Sequence, residues 1–182
     1  TVIGYTAGKL LAGASYNTVI GREAMLVADG TESSNVAIGQ SSMGGANNNS
    51  VDGNVAVGRN SMVGGTGALI NNIAIGYFAM DGSGAIDGQD NIFMGANAGG
   101  GTWATAASNF NVGIGSNVMD AAMNGALGNT ALGYNTLSSV TEGDYNVAIG
   151  YNTGQNISTG TYSVYIGYGA GLATTSGGSN VA

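Results

Sequence analysis

The sequence predicts an all-β fold, a parallel β-solenoid. Three observations predict it: a five-residue phrase recurs along the whole chain, its apolar residues keep fixed positions, and a glycine closes it. The phrase is Asn-x-x-x-Gly and returns every 17 to 20 residues, at 17–21, 35–39, 54–58, 72–76, 91–95, 111–115, 129–133 and 146–150, with Ser163 opening a variant at 163–167. The chain starts at 1–4 inside one such phrase and stops at 180–182 inside another, so residues 1–182 are expected to form one repeat domain cut from a longer array.

With the Asn as column zero, column one reads Thr1, Thr18, Val36, Val55, Ile73, Ile92, Val112, Thr130, Val147 and Val164, all β-branched. Column three is bulky and apolar throughout, from Ile3 and Ile20 to Ile149 and Ile166. Branched residues two apart, closed by glycine, mark a short half-buried strand with columns one and three on the same face. On this reading columns one and three face the core, and Ile38, Ile75, Ile114 and Ile149 are nearly fully buried. Column two is mostly small. Its alanines, Ala37, Ala56, Ala74, Ala131 and Ala148, are expected on the outer face, where a small-residue stripe suits close approach to a second copy of the chain.

Four residues after each glycine comes a column holding Met25, Met43, Met62, Met80 and Met119, with glycine or Leu137 in the other turns; methionine there reads as filler at the edge of a narrow core. The remaining residues are polar and variable in number and form the return segment. Such a unit buries its apolar columns only by stacking on its neighbours. About ten coils at roughly 4.8 Å give a length on the order of 45 to 50 Å. Column zero then becomes a structural asparagine ladder, and the column-four glycines sit at corners that need positive φ or close backbone contact.

Composition narrows the chemistry. The chain has 35 glycines but no proline, cysteine or histidine, and Lys9, Arg22 and Arg59 are its only basic residues. Zinc fingers, thiol chemistry and histidine acid–base catalysis are therefore absent, and no cofactor or metal is expected. A formal charge of −7 without a basic cluster argues against nucleic acid, and no apolar run is long enough for insertion into a membrane. Hydrophobic residues make up 43% of the chain and fall in fixed columns, which separates it from disordered glycine-rich polymers.

The phrases at 146–154 (Asn-Val-Ala-Ile-Gly-Tyr-Asn-Thr-Gly) and 35–39 (Asn-Val-Ala-Ile-Gly) resemble the head repeats of trimeric autotransporter adhesins and similar repeats of bacteriophage tail fibres. The resemblance covers the whole chain. It implies a left-handed parallel β-roll and a homotrimer, with three chains intertwined or side by side and the alanine column toward the neighbouring chain. The function implied is a non-enzymatic rigid spacer in an extracellular or virion fibre. These coils are longer than those of adhesin heads, which favours the tail-fibre side; a bacterial cell-surface adhesin is the alternative.

Two other classes fit the sequence less well. Residues 3–7 (Ile-Gly-Tyr-Thr-Ala) resemble one hexapeptide of left-handed β-helix acyltransferases, but only one such hexapeptide fits each coil, and those enzymes rely on a histidine that this chain lacks. An ice-binding solenoid needs a regular threonine array; column one offers only Thr1, Thr18 and Thr130 and is expected to face inward.

Column five holds Tyr5, Tyr77, Tyr134, Tyr151 and Tyr168 on one outer edge, suited either to contact with a host receptor or glycan or to covering strand edges as a ladder. Trp103, in the insert at 99–107, is either a contact residue or a plug over the solenoid edge. Asp29, Glu32, Asp52, Asp81, Asp87, Asp90, Asp120, Glu142 and Asp144 read as solvated loop acids, since no calcium-binding register recurs.

Overall fold

The computed structural model describes the chain apart from residues 12, 29–31, 46–49, 65–66, 84–85 and 104. Among the described residues thirteen strands follow in order: β1 (Val2–Ile3), β2 (Thr18–Ile20), β3 (Val36–Ile38), β4 (Val51–Asp52), β5 (Val55–Val57), β6 (Leu69–Ile70), β7 (Ile73–Ile75), β8 (Gly88–Gln89), β9 (Ile92–Met94), β10 (Val112–Ile114), β11 (Thr130–Leu132), β12 (Val147–Ile149) and β13 (Val164–Ile166). They stack as a β-solenoid. Each Asn-x-x-x-Gly phrase supplies one strand of a ten-stranded sheet, β1-β2-β3-β5-β7-β9-β10-β11-β12-β13, whose neighbours all run parallel. Return segments add a three-stranded parallel sheet, β4-β6-β8. The register follows the sequence columns: Val36 pairs with Val55, Ala37 with Ala56 and Ile38 with Val57.

The sheet faces the opposite way from the sequence expectation. Column two is the buried one: Val19, Ala37, Ala56, Ala74, Phe93 and Ala148 are fully buried, and Ala131 and Tyr165 nearly so. Columns one and three lie outside. Ile114 is 39% exposed, and Ile38, Ile75 and Ile149 are only partly covered.

The physical reason is the width of the coil. Across from column two lies the turn after the glycine, whose methionines Met25, Met43, Met62, Met80 and Met119 are completely buried, as core filler should be. A long thioether from one wall limits the other to Ala, Gly or at most Val19. Where column two is aromatic, the methionine is replaced by glycine in the same coil. Phe93 faces Gly99, where an added Cβ would lie 2.7 Å from the phenyl ring, and Tyr165 faces Gly171, where it would lie 2.5 Å from the phenol ring. Val51, Leu69, Met123, Val140 and Ile157 from the return segments complete this core.

Four positions in each coil take a left-handed backbone. For the Asn72 coil they are Asn71 (φ 57°), Gly76 (142°), Phe78 (54°) and Met80 (52°), and the same four offsets recur along the solenoid. The column-four glycines are required twice over. At Gly76 an added Cβ would lie close against the carbonyl of Gly95, and its φ suits glycine alone. Methionine keeps its unfavourable φ because its side chain fills the core, a packing gain that offsets the backbone cost of about 1–2 kcal/mol.

Column zero is a continuous buried ladder. Asn91 donates its backbone N–H and its Nδ2 to Oδ1 of Asn72, both at 3.0 Å, and its Nδ2 also donates to the carbonyl of Ser108 at 2.9 Å. The pattern runs from Asn17 to Asn146, and Ser163 continues it by donating its N–H to Asn146 Oδ1 at 3.1 Å. Each amide thus joins two coils and ties the strand to its own return segment.

Candidate interaction surface

The outward face of the ten-stranded sheet is a double column of mostly branched aliphatic residues, with Thr1, Thr18 and Thr130 in column one and Met94 in column three. Column three emerges most at Ile3 (59% exposed), Leu132 (46%) and Ile166 (61%). No charged residue occupies column one or three anywhere in the chain. Parallel stacking puts equivalent positions over one another, so column three runs apolar along the whole sheet while column one is interrupted by Thr18 and Thr130.

Aromatic ladders stand at the two ends of the strands. Column five brings together Tyr134, Tyr151 and Tyr168, with centroids 5.1 and 5.5 Å apart and rings within 19° of parallel. The position before the Asn brings together Tyr145 and Tyr162, with centroids 5.3 Å apart and planes 13° apart. All five rings are exposed. Within these stacks the inner ring faces lie against one another, which leaves ring edges, hydroxyls and the outer faces of the end rings, Tyr168 above all, for contact with a sugar. Tyr77 instead packs edge-on against Phe78, with Arg59 5.7 Å from its ring centroid, and Tyr5 stands exposed at the first strand.

Two groups of expected contact residues move indoors. The alanines Ala37, Ala56, Ala74, Ala131 and Ala148 line the interior of their own coils, so another chain cannot touch them; the sheet presents columns one and three instead. Trp103 is buried rather than a surface contact. It is 3% exposed, meets Phe93 edge-on at 6.4 Å between centroids, and donates Nε1 to the Gly99 carbonyl at 3.2 Å. An added Cβ at Gly88 would strike it at 2.6 Å, so a missing side chain in the next wall makes room for the indole.

Several loop acids serve as fasteners between coils. Oδ1 of Asp52 accepts the N–H of Ser33, that of Asp87 the N–H of Ala68, and that of Asp144 the N–H of Leu127, each at 2.8 Å. Glu32 is buried rather than solvated, and Asp29 falls outside the described residues. Burial raises the carboxyl pKa of Asp81 and of Asp120, partly opposed by a backbone hydrogen bond to each. Among the described residues there is no pocket, no group of three acids placed to share a metal, and no helix long and apolar enough to cross a membrane.

Sequence reasoning missed the outer face itself and the second ladder of Tyr145 and Tyr162. A signal for the first was present: in columns two and eight Ala37, Ala56 and Ala74 go with Met43, Met62 and Met80, whereas Phe93 goes with Gly99 and Tyr165 with Gly171, as expected of two walls in contact. No protein-family model, curated protein or solved structure matches the chain.

Proposed function

We propose that the chain is a non-enzymatic structural segment of an elongated extracellular or virion fibre of the tail-fibre kind, a rigid spacer that works as a homotrimer. The observation that supports this most is the outward apolar face. A double column of mostly branched residues on the order of 45 Å long is large for the free surface of a monomer and suits burial against another protein surface. A second and third copy fit best, since identical chains share one rung spacing and can meet column against column. The interchain face in this proposal is columns one and three, not the alanine column. The tyrosine edges and loops remain for contact with a host receptor or glycan.

The solenoid supports the spacer role through its construction. Its strands are two or three residues long, and stability is shared among neighbouring coils rather than held in one centre. Native mass determination on the purified protein should give three chains per particle. Ile75→Asp with Ile149→Asp should leave the β-sheet circular-dichroism signal and yield single chains. A monomeric wild-type protein, or an undiminished trimer in the double variant, would reject the assembly.

A further inference from the structure

We infer that the two tyrosine ladders are sites of oxidative cross-linking, where a peroxide-driven one-electron oxidant welds consecutive coils covalently. The column-five stack joins Tyr134, Tyr151 and Tyr168 at 5.1 and 5.5 Å between centroids, with planes 19° and 6° apart. The other stack joins Tyr145 and Tyr162 at 5.3 Å and 13°. Partners within each stack are 17 residues apart in sequence, one coil of the solenoid. All five rings are at least 42% exposed, so an oxidant in solution reaches them, and each has a second phenol held beside it.

The chemistry is that of phenol coupling. Loss of one electron and the hydroxyl proton turns each of two stacked tyrosines into a phenoxyl radical. The radicals join through the ring carbons next to the oxygen-bearing carbon, and the two hydrogens displaced there return to the oxygens, restoring both phenols. Two tyrosines give up two electrons and two protons, and one hydrogen peroxide accepts them to become two waters. What the fold supplies is proximity: a radical on Tyr151 has Tyr134 and Tyr168 stacked on either side instead of waiting for a collision. Tyr5 and Tyr16 have no stacked tyrosine among the described residues, Tyr77 packs on Phe78, and Tyr165 is buried. The inference concerns contacts within one chain and is independent of the fibre assembly.

The test treats the purified protein with a haem peroxidase and hydrogen peroxide, digests it with thermolysin, and maps linked peptides by mass spectrometry. The expected products join Tyr145 to Tyr162, and Tyr151 to Tyr134 or Tyr168. In Tyr151→Phe the column-five links should disappear while the Tyr145–Tyr162 link persists; Tyr145→Phe should do the reverse. In a mixture of isotopically light and heavy chains, each linked product should be wholly light or wholly heavy. Absence of these links, mixed-isotope products, or equal linkage at Tyr5, Tyr16 and Tyr77 would overturn the inference.

Discussion

The phenyl ring of Phe93 occupies the space that a side chain on Gly99 would need, 2.7 Å from where its Cβ would sit. The two positions are six residues apart and face each other across the coil. Phe93→Ala should cost about 3–5 kcal/mol by opening a cavity, and adding Gly99→Met, which recreates the Ala–Met pairing of the neighbouring coils, should recover much of it. Gly99 already has the φ of 63° that the methionines adopt, so the backbone offers no obstacle. Denaturant unfolding of the single and double variants checks the coupling.

Adjacent residues separate inside from outside. Ala148→Asp places a carboxylate in a fully buried site and should prevent folding, whereas Ile149→Asp, one residue on and partly exposed, should cost the fold little. Circular dichroism of the two variants decides the facing, and equal damage from both would contradict it.

Asn91→Ala should remove the amide that accepts from Asn111 N–H at 3.0 Å and donates to Asn72 and Ser108. Each buried group left without a partner costs about 1–3 kcal/mol, so the loss should exceed that of an ordinary core truncation to alanine of similar size. Thermal unfolding of Asn91→Ala beside Ser163→Asn, which should stabilise by extending the ladder, checks the claim from both sides.

The buried hydroxyl of Tyr165 has no hydrogen-bond partner among the described residues. Tyr165→Phe keeps the ring that packs over Gly171 and removes an unsatisfied polar atom, so stability should hold or rise by about 1 kcal/mol. A marked fall in the denaturation midpoint would reveal a partner for that oxygen.

Asp81 and Asp120 carry pKa values raised above 3.8, chiefly by desolvation. Their protons are held more tightly in the folded state, so the cost of ionising them is absent below the unfolded value and grows as pH rises toward the folded one. Asp120→Asn should therefore stabilise the protein at neutral pH and flatten the slope across that window. Thermal midpoints measured against pH, with the variant alongside, read this directly.

Much of the architecture was legible because it repeats. The strand at each phrase, the asparagine ladder, the corner glycines and the methionine column all follow from position within the unit. Which face of the strand turns inward was not legible from hydrophobicity, since Val36, Ala37 and Ile38 are all apolar and alternation cannot rank two apolar faces. Size decides it: in a coil this narrow Ala37, Ala56 and Ala74 stand opposite Met43, Met62 and Met80, and Val19 is the largest column-two residue opposite a methionine. The interaction surface is illegible for the same reason, and the burial of Trp103 is hidden from its own segment because its socket at Gly88 belongs to the preceding coil.

The amide ladder also has a direction. Every Oδ1 accepts from the coil that follows and every Nδ2 reaches back to the coil before, so the side-chain dipoles of column zero point the same way from Asn17 to Asn146. One end of any such stack is acceptor-terminated and the other donor-terminated. Further coils of the same kind can therefore join only head to tail, and a shaft built from them carries a built-in arrow, with a near end and a far end that are chemically distinct.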